Sequence, residues 1–238
     1  MTGVTDHPSS PEQFAHLARQ LVEAPGVMPT LCGVVAGAVA VVPCDWAAVA
    51  VTEKLGAQPA RLASSNDSDL ARVIGTVAVE AGSSPGIVAF EEARVVSCPD
   101  LAHEEQFKPY AAAMLARTSV RSVLSLPLVF KGTTTGVMSL YATTAHNFDA
   151  EAEARARVLA EHAVIAIEAA RTQDAAENLE MALMRSRTIG AAMGILMERH
   201  KLTPDGAFDL LRTASQDHNR KLADIAAELV ETGTTEGL

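Results

Sequence analysis

The sequence predicts an α+β fold: an antiparallel sheet with flanking helices, then a long connecting helix, then a C-terminal three-helix bundle. Two hairpin signals stand among helical stretches in residues 13–148, which favours antiparallel pairing covered by helices over a parallel, doubly wound sheet. No G-x-G-x-x-G or P-loop run contests that reading. From Asp149 to Thr203 there is no proline, and alanine, glutamate and arginine dominate, as in a long helix. Apolar residues make up 48% of the 238-residue chain and charged residues 20%, enough to bury a core and far from a disordered composition.

Residues 1–12 lack any apolar period and read as a flexible lead-in. Apolar residues then recur at helical spacing over Phe14–Val22 and Leu31–Val42, with Pro25, Gly26 and Pro29 breaking the chain between them. Trp46–Thr52 and Ala60–Ser64 read as strands of a first hairpin, joined through Gly56 and Pro59. Asn66 is the expected cap of a helix carrying Leu70, Val73, Ile74, Val77 and Ala78. A further helix is expected over Glu105–Ala116, and Val120–Phe130 with Gly136–Ala142 form the second hairpin around Lys131-Gly132.

Asp149 is a good cap for the long helix, whose residues 149–178 connect the two parts of the chain. Along it Val158, His162, Ile165, Ala169, Thr172, Ala176, Leu179 and Leu183 alternate steps of four and three, the seam of a parallel dimer stem. The rival reading lays this helix on its own sheet first and in solvent later. Gly190 and Gly194 each cost about 1 kcal/mol relative to alanine inside a helix, so close approach to the backbone is expected there. Thr203-Pro204 starts the next helix, with Ala207, Phe208, Leu210, Leu211 and Ala214 as its apolar face, and Phe208 is expected in the core. Asn219 is the expected cap of the last helix, which would bury Leu222, Ile225, Ala226, Leu229 and Val230; residues 233–238 form a polar tail.

The formal charge of −10 speaks against nucleic acid as a partner, but the average conceals a split. Between Arg185 and Lys221 lie seven cations (Arg185, Arg187, Arg199, Lys201, Arg212, Arg220, Lys221) against the four anions Glu198, Asp205, Asp209 and Asp217. Cys32, Cys44 and Cys98 form no C-x-x-C pair, so neither a zinc ribbon nor a disulfide framework is implied, and a reducing, cytoplasmic setting follows. The first twenty residues carry no export signal, and the longest apolar stretch, Leu31–Cys44, is too short for a bilayer span, so no membrane association is expected.

Specific motifs sit in the last quarter. Leu183-Met184-Arg185-Ser186-Arg187-Thr188-Ile189, Ala192-Met193-Gly194-Ile195-Leu196-Met197-Glu198-Arg199, Ala207-Phe208-x-Leu210-Leu211-Arg212, Ala214-Ser215-Gln216 and Asn219-Arg220-Lys221-Leu222-x-Asp224-Ile225-Ala226 follow one another in this order. Over 179–232 this run resembles the ANTAR domain, the RNA-binding module of transcription antiterminators. The preceding part, with Ser83-Ser84-Pro85-Gly86, Arg121-Ser122-Val123-Leu124-Ser125-Leu126-Pro127-Leu128 and Gly136-Val137-Met138-Ser139-Leu140-Tyr141, resembles a GAF sensor domain. Together they imply a GAF-ANTAR regulator that binds paired hairpins in nascent leader RNA and prevents a terminator from forming. They also imply a small ligand, unidentified by the sequence, in the GAF-like part.

The candidate RNA-binding residues are Arg187, Ala191, Gly194, Arg199, Arg212, Ser215, Gln216, Asn219, Arg220 and Lys221. Arginine and lysine hold phosphate, Gln216 and Asn219 offer a donor and an acceptor on one amide, and the small residues admit a close backbone. Asn219 can instead serve only as a cap, and Ser215 and Gln216 can merely close their helix. Met193 stands where many relatives carry lysine; it cannot neutralise a phosphate and fits an apolar stripe. The candidate dimer contacts are Val158, Ile165, Ala169, Leu179 and Leu183. No catalytic set, cofactor or metal site is expected: His103 with Glu104 and Glu105 reads as a solvated charge run. Two rival functions remain. One is a regulator whose bundle docks a protein and touches no RNA; the other is a thiol-dependent methionine sulfoxide reductase, for which Cys98 would be the accessible thiol and Cys32 an inert one.

Overall fold

The computed structural model describes residues 11–55 and 58–234. Most of the expected lead-in, the Gly56 turn and the last four tail residues lie outside the described residues. The chain divides into two compact units, Met1–Gln173 and Asp174–Leu238.

In the first unit, helices α1 (Pro11–Glu23) and α2 (Val27–Val41) precede strands β1 (Trp46–Leu55) and β2 (Gln58–Ser65). Then come α3 (Ser68–Ala81), α4 (Pro85–Glu92), β3 (Val96–Cys98), one 3-10 turn at Leu101–His103, α5 (Lys108–Arg117), β4 (Ser122–Phe130) and β5 (Thr133–Ala142). The five strands form one antiparallel sheet in the order β2-β1-β5-β4-β3. Both predicted hairpins are present, and β1 joins them by pairing with β5, Val49 opposite Met138. An ordered helix from Pro11 replaces the end of the expected lead-in.

The two faces of the sheet differ, and the difference is written in the alternation of the strands. Val49, Val51, Leu124, Leu126, Leu128, Met138 and Leu140 point to one face, where residues of α1, α2 and the first half of α6 (Ala150–His200) complete the larger core. Their neighbours Ala48, Ala50, Ser125 and Ser139 are small. They face the side covered by α3, α4 and α5, where a second core gathers around Val77, Met114, Tyr110 and Tyr141. Large aliphatic residues therefore fill one side of the sheet. Alanine and serine leave room on the other.

Several local expectations are corrected. Asp67, not Asn66, caps α3, its carboxylate accepting from the Asp69 and Leu70 amides. Asn66 instead accepts from the Ala47 amide at 2.8 Å and ties β1 to the end of β2. The helix expected from Glu105 starts at Lys108, because Pro109 fits its first turn, and Glu104 receives the Gln106 amide before it. α4 and β3 are additions. Ser84 accepts from the Ile87 amide and Pro85 opens the helix, so a pair that also suits a turn here starts a helix.

Asp149 does cap α6, accepting from the Ala152 amide at 2.8 Å. Within the first unit α6 buries Ala152, Ala156, Leu159, Ala163, Ile167 and Ala170, so the reading that lays it on its own sheet is right for that face. The second unit consists of the rest of α6, α7 (Pro204–Asp217) and α8 (Leu222–Thr232), closed around Ala192, Leu196, Ala207, Leu211, Ala214, Ile225, Ala226 and Leu229. Met193 packs at the edge of this core. No single helix among the described residues is long and apolar enough to cross a membrane.

Candidate functional site

The second unit presents its candidate residues in two groups. On α6, Ala192 and Leu196 are buried, and the opposite face carries Arg187, Gly190, Ala191 and Gly194, all exposed. A Cβ added at Gly190 or Gly194 would meet nothing within 4 Å, so no contact among the described residues explains the two glycines. The face is smooth and open. The expected close approach comes from no described residue of this unit.

The second group lies at the α7–α8 junction. Thr203 accepts from the Gly206 amide and Pro204 opens α7, as expected. Asn219 does not cap α8; that position belongs to Lys221, and Asn219 takes a left-handed conformation with φ 49° instead. Asparagine tolerates that geometry better than most side chains, which is its local reason for standing there. The turn is locked by the Arg220 amide donating to the Ser215 carbonyl at 3.1 Å and by the Ser215 hydroxyl donating to the Arg220 carbonyl at 2.6 Å. Ser215 thus closes its helix. Gln216 is exposed, and its carbonyl receives the Asn219 amide.

The cations do not form one free patch. Lys201 pairs with Glu198 at 3.1 Å, Arg212 with Asp209 at 2.8 Å and Arg220 with Glu228 at 2.6 Å. Arg199 donates to the Gly233 carbonyl and so closes the C-terminus of α8. Arg185, Arg187 and Lys221 have no acidic partner among the described residues. The three ion pairs are exposed, where such pairs contribute at most about 1 kcal/mol, so a phosphate can displace the carboxylate at small cost. Arg199 is different, because moving it opens a helix end.

Phe208 overturns an expectation. It is 42% exposed and stands outside the bundle core. Ala207, Leu211 and Ala214 repeat at steps of four and three, and Phe208 is turned about 100° away from that stripe. Four residues on, Arg212 shares its face, so α7 offers a ring and a guanidinium side by side. Sequence reading missed this because it weighed residue type above phase.

The five stem residues Val158, Ile165, Ala169, Leu179 and Leu183 are all exposed, with Ile165 at 59% and Leu179 at 62%. None of them belongs to the buried face of α6.

In the first unit, the small residues of the sheet's second face open a cavity of about 510 Å³ between the sheet and α3 and α4. Ala48, Ala50, Ile74, Ile87, Phe90 and Val137 supply much of its wall. Ser84 and Ser139 add hydroxyls, and Ser139 bonds the buried Ser125 at 2.8 Å behind it. Tyr110 and Tyr141 complete this end; burial pushes the Tyr141 hydroxyl up to about 12 and that of Tyr110 well above its ordinary value.

The thiols are the reverse of the sequence expectation. Cys98 is buried beneath the sheet edge, and burial, followed by its hydrogen bond to Glu104, raises it far above the ordinary thiol range. Cys32 is the exposed one, receiving the Ser64 hydroxyl, while burial pushes Cys44 up to about 12. A buried neutral thiol is neither nucleophile nor ligand, which removes Cys98 from that role. His103 is engaged with Asp100 at 2.9 Å, and no group of three His, Cys, Asp or Glu side chains among the described residues is placed to hold a metal ion.

Three solved structures resemble the chain at low identity. The GAF domain of a phosphoenolpyruvate-protein phosphotransferase from Coxiella burnetii shares 18% identity at a TM-score of 0.52, covering 69% of this chain and 95% of its own. The free methionine-R-sulfoxide reductase from Neisseria meningitidis shares 13% at 0.51, covering 73% and 96%. The phytochrome photosensory core module of Stigmatella aurantiaca shares 12% at 0.52, covering 90% of this chain and 46% of that one. At such identities the likeness is one of fold. No curated protein matches the chain. Residues 31–168 match the GAF domain and residues 177–230 the ANTAR domain. The chain therefore belongs to the GAF family and carries an ANTAR domain behind its GAF domain.

Proposed function

We propose that this protein is a cytoplasmic, non-enzymatic regulator whose ANTAR domain binds hairpins in nascent leader RNA and causes antitermination, under control of a small molecule in the GAF cavity. The observation that carries the reading is the coincidence of the ANTAR match with an outer α6 face whose two glycines meet no neighbour and whose Arg187 has no acidic partner among the described residues. Cations hold phosphate, open backbone admits it closely, and Phe208 with Arg212 supplies the stacking that single-stranded bases use. Lys221 adds a second free charge at the α7–α8 junction. The chain acts as a homodimer through the exposed stripe of Val158, Ile165, Ala169, Leu179 and Leu183, which brings two RNA modules together.

Filter binding to a leader RNA with two adjacent hairpins, read across salt concentrations, tests the reading. Log affinity falls with log salt in proportion to the phosphates neutralised, and Arg187→Ala and Lys221→Ala each reduce the slope by about 1 without changing helicity. A bundle that docks a protein instead gives no saturable RNA binding, or binding indifferent to both substitutions. Either result ends the proposal.

A further inference from the structure

We infer that the cavity of the first unit takes an uncharged, largely apolar small molecule and rejects anions. The volume of about 510 Å³ lies in the range that holds drug-sized ligands. Its origin is the row of small side chains on one sheet face, Ala48 and Ala50 opposite Gly75 and Ala78 of α3, with Ile74, Ile87 and Phe90 between. Gly75 is exposed at the rim of the cavity, and a Cβ built there meets nothing within 4 Å. An apolar molecule entering here exchanges water for wall contacts.

Charge decides the class of ligand. Among the described lining residues there is no lysine, arginine or histidine, and Glu91, which is exposed, is the one charged side chain. An anion would lose its hydration against an apolar wall with no cation in return, and a buried unpaired charge is costly. The polar groups present are hydroxyls. Those of Ser84, Ser125 and Ser139 converge on Gly86, where an added Cβ would lie 3.4 Å from the Ser139 oxygen and 4.0 Å from the other two. Tyr141 and Tyr110 continue the array; their hydroxyls are protonated at neutral pH, as tyrosine ordinarily is, and burial moves both further from ionising. Neutral hydroxyls can donate to or accept from a carbonyl, hydroxyl or amine, and they orient a neutral molecule without demanding a charge.

The inference rests on the reading of the first unit as the sensing half, yet it concerns only what enters the cavity. A matched pair of fluorescent probes separates the two questions: N-phenyl-1-naphthylamine is neutral, and 8-anilino-1-naphthalenesulfonate adds an anion to the same ring system. Titrated into the full chain, the neutral probe is expected to bind one site at least tenfold more tightly than the sulfonate. Gly75→Phe, which places a ring at the exposed rim of the cavity on α3, is expected to weaken that site. Failure of the neutral probe to bind, or equal or tighter binding of the sulfonate, overturns the inference without reference to any variant. So does undiminished binding to a folded Gly75→Phe chain. The same samples, assayed with the two-hairpin RNA, report on control separately: a cavity that prefers the neutral probe while RNA affinity stays fixed upholds the ligand class and refutes the sensing role.

Discussion

Phe208 is an aromatic ring left in solvent by a helix that had the option of burying it. A ring in water costs a small bundle free energy unless something else covers it, and on the proposed function a nucleobase stacked beside the Arg212 guanidinium is what covers it. Alanine substitution of such stacking residues typically costs about 1–3 kcal/mol per base. Phe208→Ala is accordingly expected to weaken the two-hairpin RNA by that amount with little change in melting temperature, and Phe208→Tyr to retain binding. A loss of several degrees with unaltered RNA affinity would instead assign the ring to folding. Asp100 shows the opposite allocation, a polar residue given wholly to structure. It accepts from Arg121 at 2.9 and 3.2 Å, from His103 at 2.9 Å and from the Ala102 amide at 3.1 Å. The Arg121 hydrogen bonds, then His103, hold its carboxyl well below the ordinary 3.8. A carboxylate lowered by folding stabilises above its unfolded value and loses that contribution as pH falls towards its folded one. Asp100→Asn should therefore lower the melting temperature at pH 7, with the gap to the parent narrowing below pH about 4. A gap that persisted at low pH would show that packing, not charge, was lost.

Among the elements, α6 carries two apolar faces and α4 carries a start signal that doubles as a turn. The exposed apolar stripe of α6 is legible in the sequence because Val158, Ile165, Leu179 and Leu183 are large and fall on heptad positions; its use as a dimer seam belongs to the proposed function. The buried stripe is not, because Ala152, Ala156, Ala163 and Ala170 look like helix propensity rather than packing, and only the sheet opposite makes them a core. Both hairpins follow directly from period-two alternation, which a strand cannot hide when one face is aliphatic and the other small. α4 and β3 escape notice for separate reasons: Pro85-Gly86 serves a turn as readily as a first helical turn, and three residues are too few for a period. Asn66 and Asn219 were each one or two residues from the true cap, where an amide does other work. The candidate RNA residues divide similarly, since phase on α6 places Arg187 and Gly194 outward, while the ion pairs of Arg212 and Arg220 depend on contacts no spacing rule contains. The glycines of α6 offer the sharpest test at this level. Gly190→Ala and Gly194→Ala meet no neighbour, so each should stabilise the helix by up to about 1 kcal/mol. If the face receives RNA, the added methyl groups weaken binding at the same time. Thermal melting and filter binding of both variants check the pair of effects; stabilisation with unchanged RNA affinity would free this face from the proposed contact.

Over the whole molecule, the proposed function asks a chain of net charge −10 to hold a polyanion. One such domain, with Arg185, Arg187 and Lys221 unpaired among the described residues, would have a modest electrostatic grip on RNA, and drawing Arg212 and Arg220 from their carboxylates would add to it only against competition. The proposed dimer changes the arithmetic. Once one module has bound the first hairpin, its twin meets the second at the high effective concentration set by the stem, and such linkage raises affinity by about 10²–10⁴ without any new contact. The two-hairpin target and the exposed stripe of α6 then belong to one requirement. Ile165→Glu combined with Leu179→Glu places charge in the seam without touching the buried face, so the folded chain is expected to sediment as a monomer with helicity unchanged. That variant should bind an RNA with a single hairpin as the parent does and lose about a hundredfold or more on the two-hairpin RNA. Analytical ultracentrifugation with filter binding measures both quantities. A monomeric variant that kept its full preference for paired hairpins would mean that one bundle reads both, and the stem would have to be assigned a different role.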